Sequence, residues 1–340
     1  MGRKRGLLIR FLSHNSEASF ELRQPGEPSI CMLHVRRLCC ALMKTPGRLI
    51  GLCFISVSVI VAFLVVGTAV AQQPHTLTGD IRFHKAFHSN ILDNDRDVVV
   101  YLPPGYEADK EKRYSVFYLQ DGQNLFDGAT SFIPGQEWRA DEAAQSLITA
   151  GKIEPLIIVG VYNTGKDRIN EYTPAIDAKY KMGGKADLYG RLLVEELKPF
   201  IDAQYRTLKD AKHTGLGGSS LGGLVSLYLG LKYTSVFGRL AVISPSVWFA
   251  DHQILHYVEA LAKKPQVRIW LDIGSKEGRD AEEAQKTVAD ARLLKEALVR
   301  KGWKTGSDLS YFEAEGAEHN EHAWAARFES ILEYLFPRKG

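Results

Sequence analysis

The stretch Gly217-Gly218-Ser219-Ser220-Leu221-Gly222-Gly223 constrains this chain more than any other. The residues before it, His213-Thr214-Gly215-Leu216, read as the end of a strand. Leu224 to Leu231 after it read as a buried helix. Gly218 to Gly222 fits the pattern G-x-S-x-G, in which a serine sits on a strained strand-to-helix turn with its hydroxyl above a sheet. The glycines are needed because strand and helix approach too closely there to leave room for Cβ atoms. The helix N-terminus beneath the serine adds amide donors and partial positive charge. A bare match to the pattern is often only a Gly/Ser-rich turn. Strand before, helix after and doubled glycines on both sides argue against that here.

The rest of the chain supplies a setting for such a turn. Asp97 to Leu102 and Tyr114 to Leu119 read as strands, closed by Pro103-Pro104-Gly105 and Asp121-Gly122. Leu156 to Val161, Leu240 to Ile243, Val267 to Ile273 and Leu309 to Phe312 read as further strands. Helical spacing covers Asp141 to Ala150, Leu188 to Tyr205 (kinked at Pro199), Ile254 to Ala262, Asp280 to Lys301 and Ala323 to Leu335. Continuous apolar strands alternating with helices indicate an α/β fold, its mostly parallel sheet covered on both faces. The strands before residue 113 have no helix between them and are expected antiparallel at one edge. Catalytic groups in such sheets gather beyond the carboxyl ends of the strands.

The N-terminus reads as a processing segment. Leu49 to Val70 is almost wholly apolar and uncharged, Lys44 and Arg48 precede it, and Ala69-Val70-Ala71 follows. That order describes a secretory signal peptide over residues 43–71, cleaved after Ala71. The rival reading is a retained membrane anchor, since the run is long enough to cross a bilayer. Residues 1–42 have no apolar periodicity and read as a non-native or unstructured extension. Residues 72–340 are then one catalytic domain, secreted or periplasmic. Nine of the 43 basic but only three of the 40 acidic residues lie within 1–71, so the remainder is slightly acidic. No footprint for nucleic acid remains, and contact with a membrane is expected only through the leader or anchor. Cys31, Cys39, Cys40 and Cys53 are the four cysteines, all in the leader region. A disulfide framework, a cysteine metal site and a cysteine nucleophile are therefore not expected in the domain.

A serine hydroxyl needs a base, and the base an orienting acid. His319, in Glu315-Gly316-Ala317-Glu318-His319-Asn320 between the last strand and last helix, is the favoured base. His322 is the second candidate, and His252 and His256 read as surface helix positions. Asp272, Glu277 and Asp280 are the candidate acids. Asp272 is still inside a strand and Asp280 reads as a helix cap. Glu277, on a loop flanked by Gly274 and Gly278, is favoured. The amide of Leu221 is one oxyanion donor, and the loop Leu119 to Phe126 supplies the other.

On Tyr118-Leu119-Gln120-Asp121-Gly122-Gln123-Asn124-Leu125-Phe126, Gly217 to Gly223, Ser244-Pro245-Ser246-Val247-Trp248, Asp272 to Gly278 and His319-Asn320-Glu321, the chain resembles the esterase D-like serine esterases. That family of α/β-hydrolase fold includes enterochelin, feruloyl and acetyl-xylan esterases and mycolyltransferases, and the resemblance runs from about Asp80 to Pro337. It implies an α/β-hydrolase fold with Ser220 as nucleophile, Glu277 as acid, His319 as base, and the amides of Gln123 and Leu221 as the oxyanion hole. It also implies substrate contacts at Asp121, Asn124, Arg168 and Trp248. The expected function is a serine carboxylesterase without metal or organic cofactor. Its partner is a small-molecule ester of a small or medium acyl group, of siderophore-ester or carbohydrate-ester type. An acyltransferase using the same acyl-enzyme, or a non-catalytic ligand-binding homologue, are the alternatives.

Overall fold

The structure, a computed structural model, describes residues 74–338. The expectations for residues 1–42 and for the leader at 43–71 fall outside the described residues.

Eight strands form one sheet. They are β1 (Asp80–Ser89), β2 (Asn94–Leu102), β3 (Ser115–Gln120), β4 (Leu156–Val161), β7 (Thr214–Ser219), β8 (Arg239–Ile243), β9 (Arg268–Gly274) and β10 (Leu309–Ala314). Their order is β1-β2-β4-β3-β7-β8-β9-β10. β1 pairs antiparallel with β2, and β2 antiparallel with β4. Every other pairing is parallel. A small separate hairpin, β5 (Ile176–Asp177) with β6 (Met182–Gly183), was not anticipated from the sequence.

The central strands are buried along their whole length because each face of the sheet carries its own core. Successive side chains of a strand point to opposite faces. Accordingly Val116, Tyr118, Ile157, Val159, Leu216, Leu240 and Val242 fall in one apolar cluster. Phe117, Leu119, Leu156, Ile158, Ala241 and Ile243 fall in the other. The second layer is closed by α1 (Ala140–Thr149) and by the last helix, whose Trp324, Phe328, Ile331 and Leu335 form its apolar stripe. Burying each such large side chain contributes about 1.5–3 kcal/mol. This is the α/β-hydrolase architecture, with antiparallel strands at its N-terminal edge.

Between β4 and β7 lie α2 (Arg168–Glu171), α3 (Ala186–Arg191) and α4 (Lys198–Gln204). Leu192–Leu197, between α3 and α4, widens into a π-helical segment just ahead of Pro199. Proline has no N–H to give and crowds the carbonyl four residues back, so a wider turn accommodates it. The elbow helix is α5 (Leu221–Lys232). The next, α6 (Phe249–Ala260), starts earlier than the apolar spacing predicts and contains a left-handed turn at Ala250, Asp251 and His252. α7 (Ala281–Lys301) and α8 (Glu321–Leu335) follow β9 and β10. Asp280 caps α7 by accepting from the Glu283 amide at 2.9 Å, and Asn320 caps α8 through the Ala323 amide at 2.9 Å.

Candidate active site

Close packing makes the elbow. Ser220 sits between β7 and α5 with φ 58° and ψ −124°, a conformation costly for a side chain with a Cβ. Its amide donates to Ile243 O at 3.0 Å, which ties the turn to β8. A Cβ on Gly218 would lie 2.8 Å from Gln120 Cβ and 2.9 Å from the Gly222 backbone carbon. One on Gly223 would lie 2.8 Å from Ile243 O. The glycines thus let three backbone segments meet under the serine.

Ser220 shares a cavity of about 560 Å³ with Ser246, Trp248, Glu277 and His319. Ser220 Oγ lies 3.3 Å from Ser246 Oγ, its hydrogen-bond partner in this structure. His319 Nδ1 lies 2.8 Å from Glu277 Oε2. An ionised carboxylate only accepts, so Nδ1 carries the proton and Nε2 is left as the basic nitrogen. The Trp324 ring meets the imidazole edge-on, 5.0 Å between centroids. His319 is 41% exposed at its side chain whereas Glu277 is 1% exposed. The imidazole is therefore the open member of the pair and the carboxylate the buried one.

Glu277 is surrounded by donors. Its Oε1 accepts from Gly274 N at 2.6 Å and Ser244 Oγ at 2.5 Å, with Arg327 Nη2 at 3.7 Å. Arg327 also contacts Asp272 Oδ1 at 3.1 Å. Asp272 is fully buried and accepts from Trp270 Nε1 at 2.7 Å. Burial pushes its carboxyl above the usual range, and the Arg327 charge opposes the rise. Asp272 is thus a structural counter-charge to Arg327. Asp280 is occupied by its cap, and His322 stands outside the cavity lining.

The loop after β3 is built differently. Asp121 adopts a left-handed conformation (φ 57°, ψ 48°) and leads into a 3₁₀ turn at Gly122–Asn124. A Cβ on Gly122 would come within 2.5 Å of the Gly160 carbonyl carbon, so this turn packs backbone against backbone. Arg168 grips Asp121 with two bonds of 2.7 Å, and Asn163 Nδ2 adds a third at 2.7 Å. Asn124 is also engaged: its Nδ2 donates to Glu321 Oε1 at 2.9 Å, and its Oδ1 accepts from Phe132 N at 2.9 Å. Burial, aided by the Asp121 charge, pushes the Glu321 carboxyl up. Neither the Gln123 nor the Leu221 amide has a backbone carbonyl partner among the described residues. Of the four residues expected to contact substrate, Trp248 lines the cavity with Ser220. Asp121, Asn124 and Arg168 lie outside its lining, in the wall of the loop.

Sequence reasoning gave no role to Ser244 or Ser246, although both lie in a motif that carries the resemblance, and did not single out Trp324 or Arg327. One signal was available for Arg327, a charged residue falling on the apolar stripe of α8 beside Trp324, Phe328 and Ile331.

An elbow serine, a carboxylate-bound histidine and free amides at the ends of β3, β7, β9 and β10 define a hydrolase of α/β-hydrolase fold. The Esterase family model matches residues 89–335, and the chain belongs to that family. It is a hydrolase of carboxylic esters. An uncharacterised protein of Bacillus subtilis, YbbA, is 27% identical over 76% of this chain and 97% of its own length. An endo-1,4-beta-xylanase/feruloyl esterase of Xylanibacter ruminicola is 28% identical over 70% of this chain, which spans 29% of that protein. Among solved structures, the BES protein of Bacillus cereus superposes with a TM-score of 0.59 at 22% identity, covering 76% of this chain and 96% of that one. The enterobactin esterase of Shigella flexneri in the presence of enterobactin gives 0.58 at 19%, covering 78% and 61%. At these identities the two structures speak to the fold.

Proposed function

We propose that the protein is a serine carboxylesterase working through an acyl-enzyme on Ser220. Ser220 Oγ attacks the ester carbonyl as His319 Nε2 takes its proton. The amides of Leu221 and Gln123 stabilise the oxyanion. His319, now an imidazolium held by Glu277, returns the proton to the departing alcohol. Water, deprotonated by the same histidine, then releases the acid and frees the serine. The observation that carries this reading is the 2.8 Å His319–Glu277 contact opening onto the cavity that holds Ser220. The serine and base are not yet joined by a hydrogen bond, as is common for such sites before substrate arrives.

The substrate is a small-molecule ester of small or medium acyl group, of siderophore-ester or carbohydrate-ester type. This rests on the names of relatives, among them a siderophore triacetylfusarinine C esterase of Aspergillus fumigatus and the xylanase/feruloyl esterase. Residues 43–71 act as an export leader, leaving a secreted or periplasmic enzyme that begins at Gln72; N-terminal sequencing of the exported protein checks this. Among the described residues no helix is long and apolar enough to cross a membrane.

Trapping the intermediate tests the mechanism. Rapid mixing with nitrophenyl acetate and acid quench should leave one acetyl group on the peptide holding Ser220, with free acid as the final product. Acetyl on another residue, or turnover with no adduct, contradicts it. Product shifted quantitatively onto an added alcohol would make the enzyme a transferase instead.

A further inference from the structure

Behind the acid lies a buried chain of donors with one direction. Ser244 Oγ receives Trp324 Nε1 at 3.0 Å and Arg327 Nη2 at 2.9 Å. Indole and guanidinium groups donate and never accept. Both lone pairs of the hydroxyl are therefore occupied. Its single proton has one acceptor left within reach, Glu277 Oε1 at 2.5 Å. The hydroxyl cannot turn round and ask the carboxylate for a proton. Ser244 also has an unusual backbone, φ 43°, at the point where the chain leaves β8. Its amide is held by Asp272, with Oδ1 at 3.2 Å and O at 3.0 Å. A strained, non-glycine position tied down on every side is where structure is being maintained for a purpose.

We propose that Ser244 is a positioning residue for the catalytic acid: its hydroxyl, oriented by Trp324 and Arg327, donates to Glu277 and keeps that carboxylate charged and aimed at His319. This rests on the triad reading above. The charged groups facing Glu277 are His319 from the β10–α8 loop, Arg327 from α8 and Asp272 from β9. Lys276, Arg279, Glu283 and Glu318 line the cavity beside it, and Glu321 stands near His319.

A donor to a carboxylate makes it less basic. Removing that donor makes Glu277 more basic, so it holds the Nδ1 proton more tightly and His319 becomes protonated at higher pH. Ser244→Gly is the variant of choice, because glycine accepts φ 43° without strain while losing the hydroxyl. With a short nitrophenyl ester, its kcat/KM should fall about tenfold on the alkaline plateau, with KM little changed. The acid limb of the profile should move to higher pH, and the His319 Nδ1 proton resonance should move downfield. Trp324→Phe keeps the ring against His319 but frees one lone pair of Ser244. It should give a smaller shift in the same direction. An acid limb unmoved in Ser244→Gly, whatever the plateau, overturns the proposal, as does an opposite shift in Trp324→Phe. If wild-type enzyme fails to acylate Ser220, the triad reading falls and this inference with it. If it acylates normally and the acid limb does not move, only the role of Ser244 falls.

Discussion

The loops after β9 and after β3 both follow the carboxyl ends of strands and each is braced by an arginine, Arg327 buried and Arg168 a quarter exposed, yet they use their side chains in opposite ways. After β9, the contacts of Arg327, Ser244 and Gly274 converge on one carboxylate, and that carboxylate meets the base. After β3, Arg168 and Asn163 converge on Asp121, whose carboxylate goes no further. None of that loop's residues lines the cavity that holds Ser220. On the proposed mechanism the first loop would work through a side chain, as the acid loop, and the second through its amides, as the oxyanion loop, with Arg168 and Asn163 serving as clamps. Substitutions should follow suit. Those at the acid loop should change the protonation behaviour, and those at the oxyanion loop should change the rate without moving the pH limb.

The largest effects belong to the pair common to both loops. Ser220→Ala and His319→Ala should each lower kcat by about 10⁵- to 10⁶-fold, and the double variant should be little worse, since the two act as one unit. Glu277→Gln should cost about 10³- to 10⁴-fold, because the amide cannot hold Nδ1 protonated and Nε2 basic in the same way. Steady-state kinetics on a nitrophenyl ester measures all three. Arg168→Met tests the other loop. Losing the grip on Asp121 should loosen the Gln123 amide and lower kcat by about 10²-fold, the scale of losing one oxyanion donor, with an unmoved acid limb. An acid limb that moves in Arg168→Met would break the comparison. Asp280→Ala should leave kcat intact and cost about 0.5–2 kcal/mol of stability through the lost cap, read by denaturant melts.

The remaining effect is one of pH on stability, and it falls on the β3 side. The excursion that begins at Asp121 ends at α1, where Asp141 is buried and accepts from Thr78 N at 2.6 Å. Burial, with Glu142 beside it, pushes the Asp141 carboxyl up to about 8. The unfolded chain releases that proton near pH 4 while the folded chain keeps it, so the contribution is complete below pH 4 and disappears as pH rises toward 8. Thermal melts should therefore show stability declining over that window, and Asp141→Asn should flatten the decline. A slope unchanged in Asp141→Asn places the titrating group elsewhere.

Much of this arrangement was legible in the chain. The strand and helix order followed from continuous apolar runs, helical spacing and Gly/Pro punctuation, and the strand Leu156–Val161 was read to the residue. Ser220, Glu277 and His319 stood out because reactive residue types fell at strand ends. The hairpin Ile176–Gly183 was not legible: its paired strands are two residues each, too short to show a period. Nor was the left-handed turn at Ala250–His252, where no glycine signals positive φ. Asp121 and Arg168 could be placed near the site by sequence, yet their bidentate pairing joins residues 47 apart and is a fact of tertiary structure alone. The same holds for Ser244 and Arg327, which are 83 residues apart.

The measurement that bears most directly on the central claim is active-site labelling of the folded protein with a fluorophosphonate, followed by peptide mass spectrometry. A single phosphonyl adduct on Ser220 is expected, formed quickly in wild type, far more slowly in His319→Ala and not at all after heat denaturation. An unlabelled Ser220 in folded, ester-hydrolysing protein, or a label on Ser246 in its place, would contradict it.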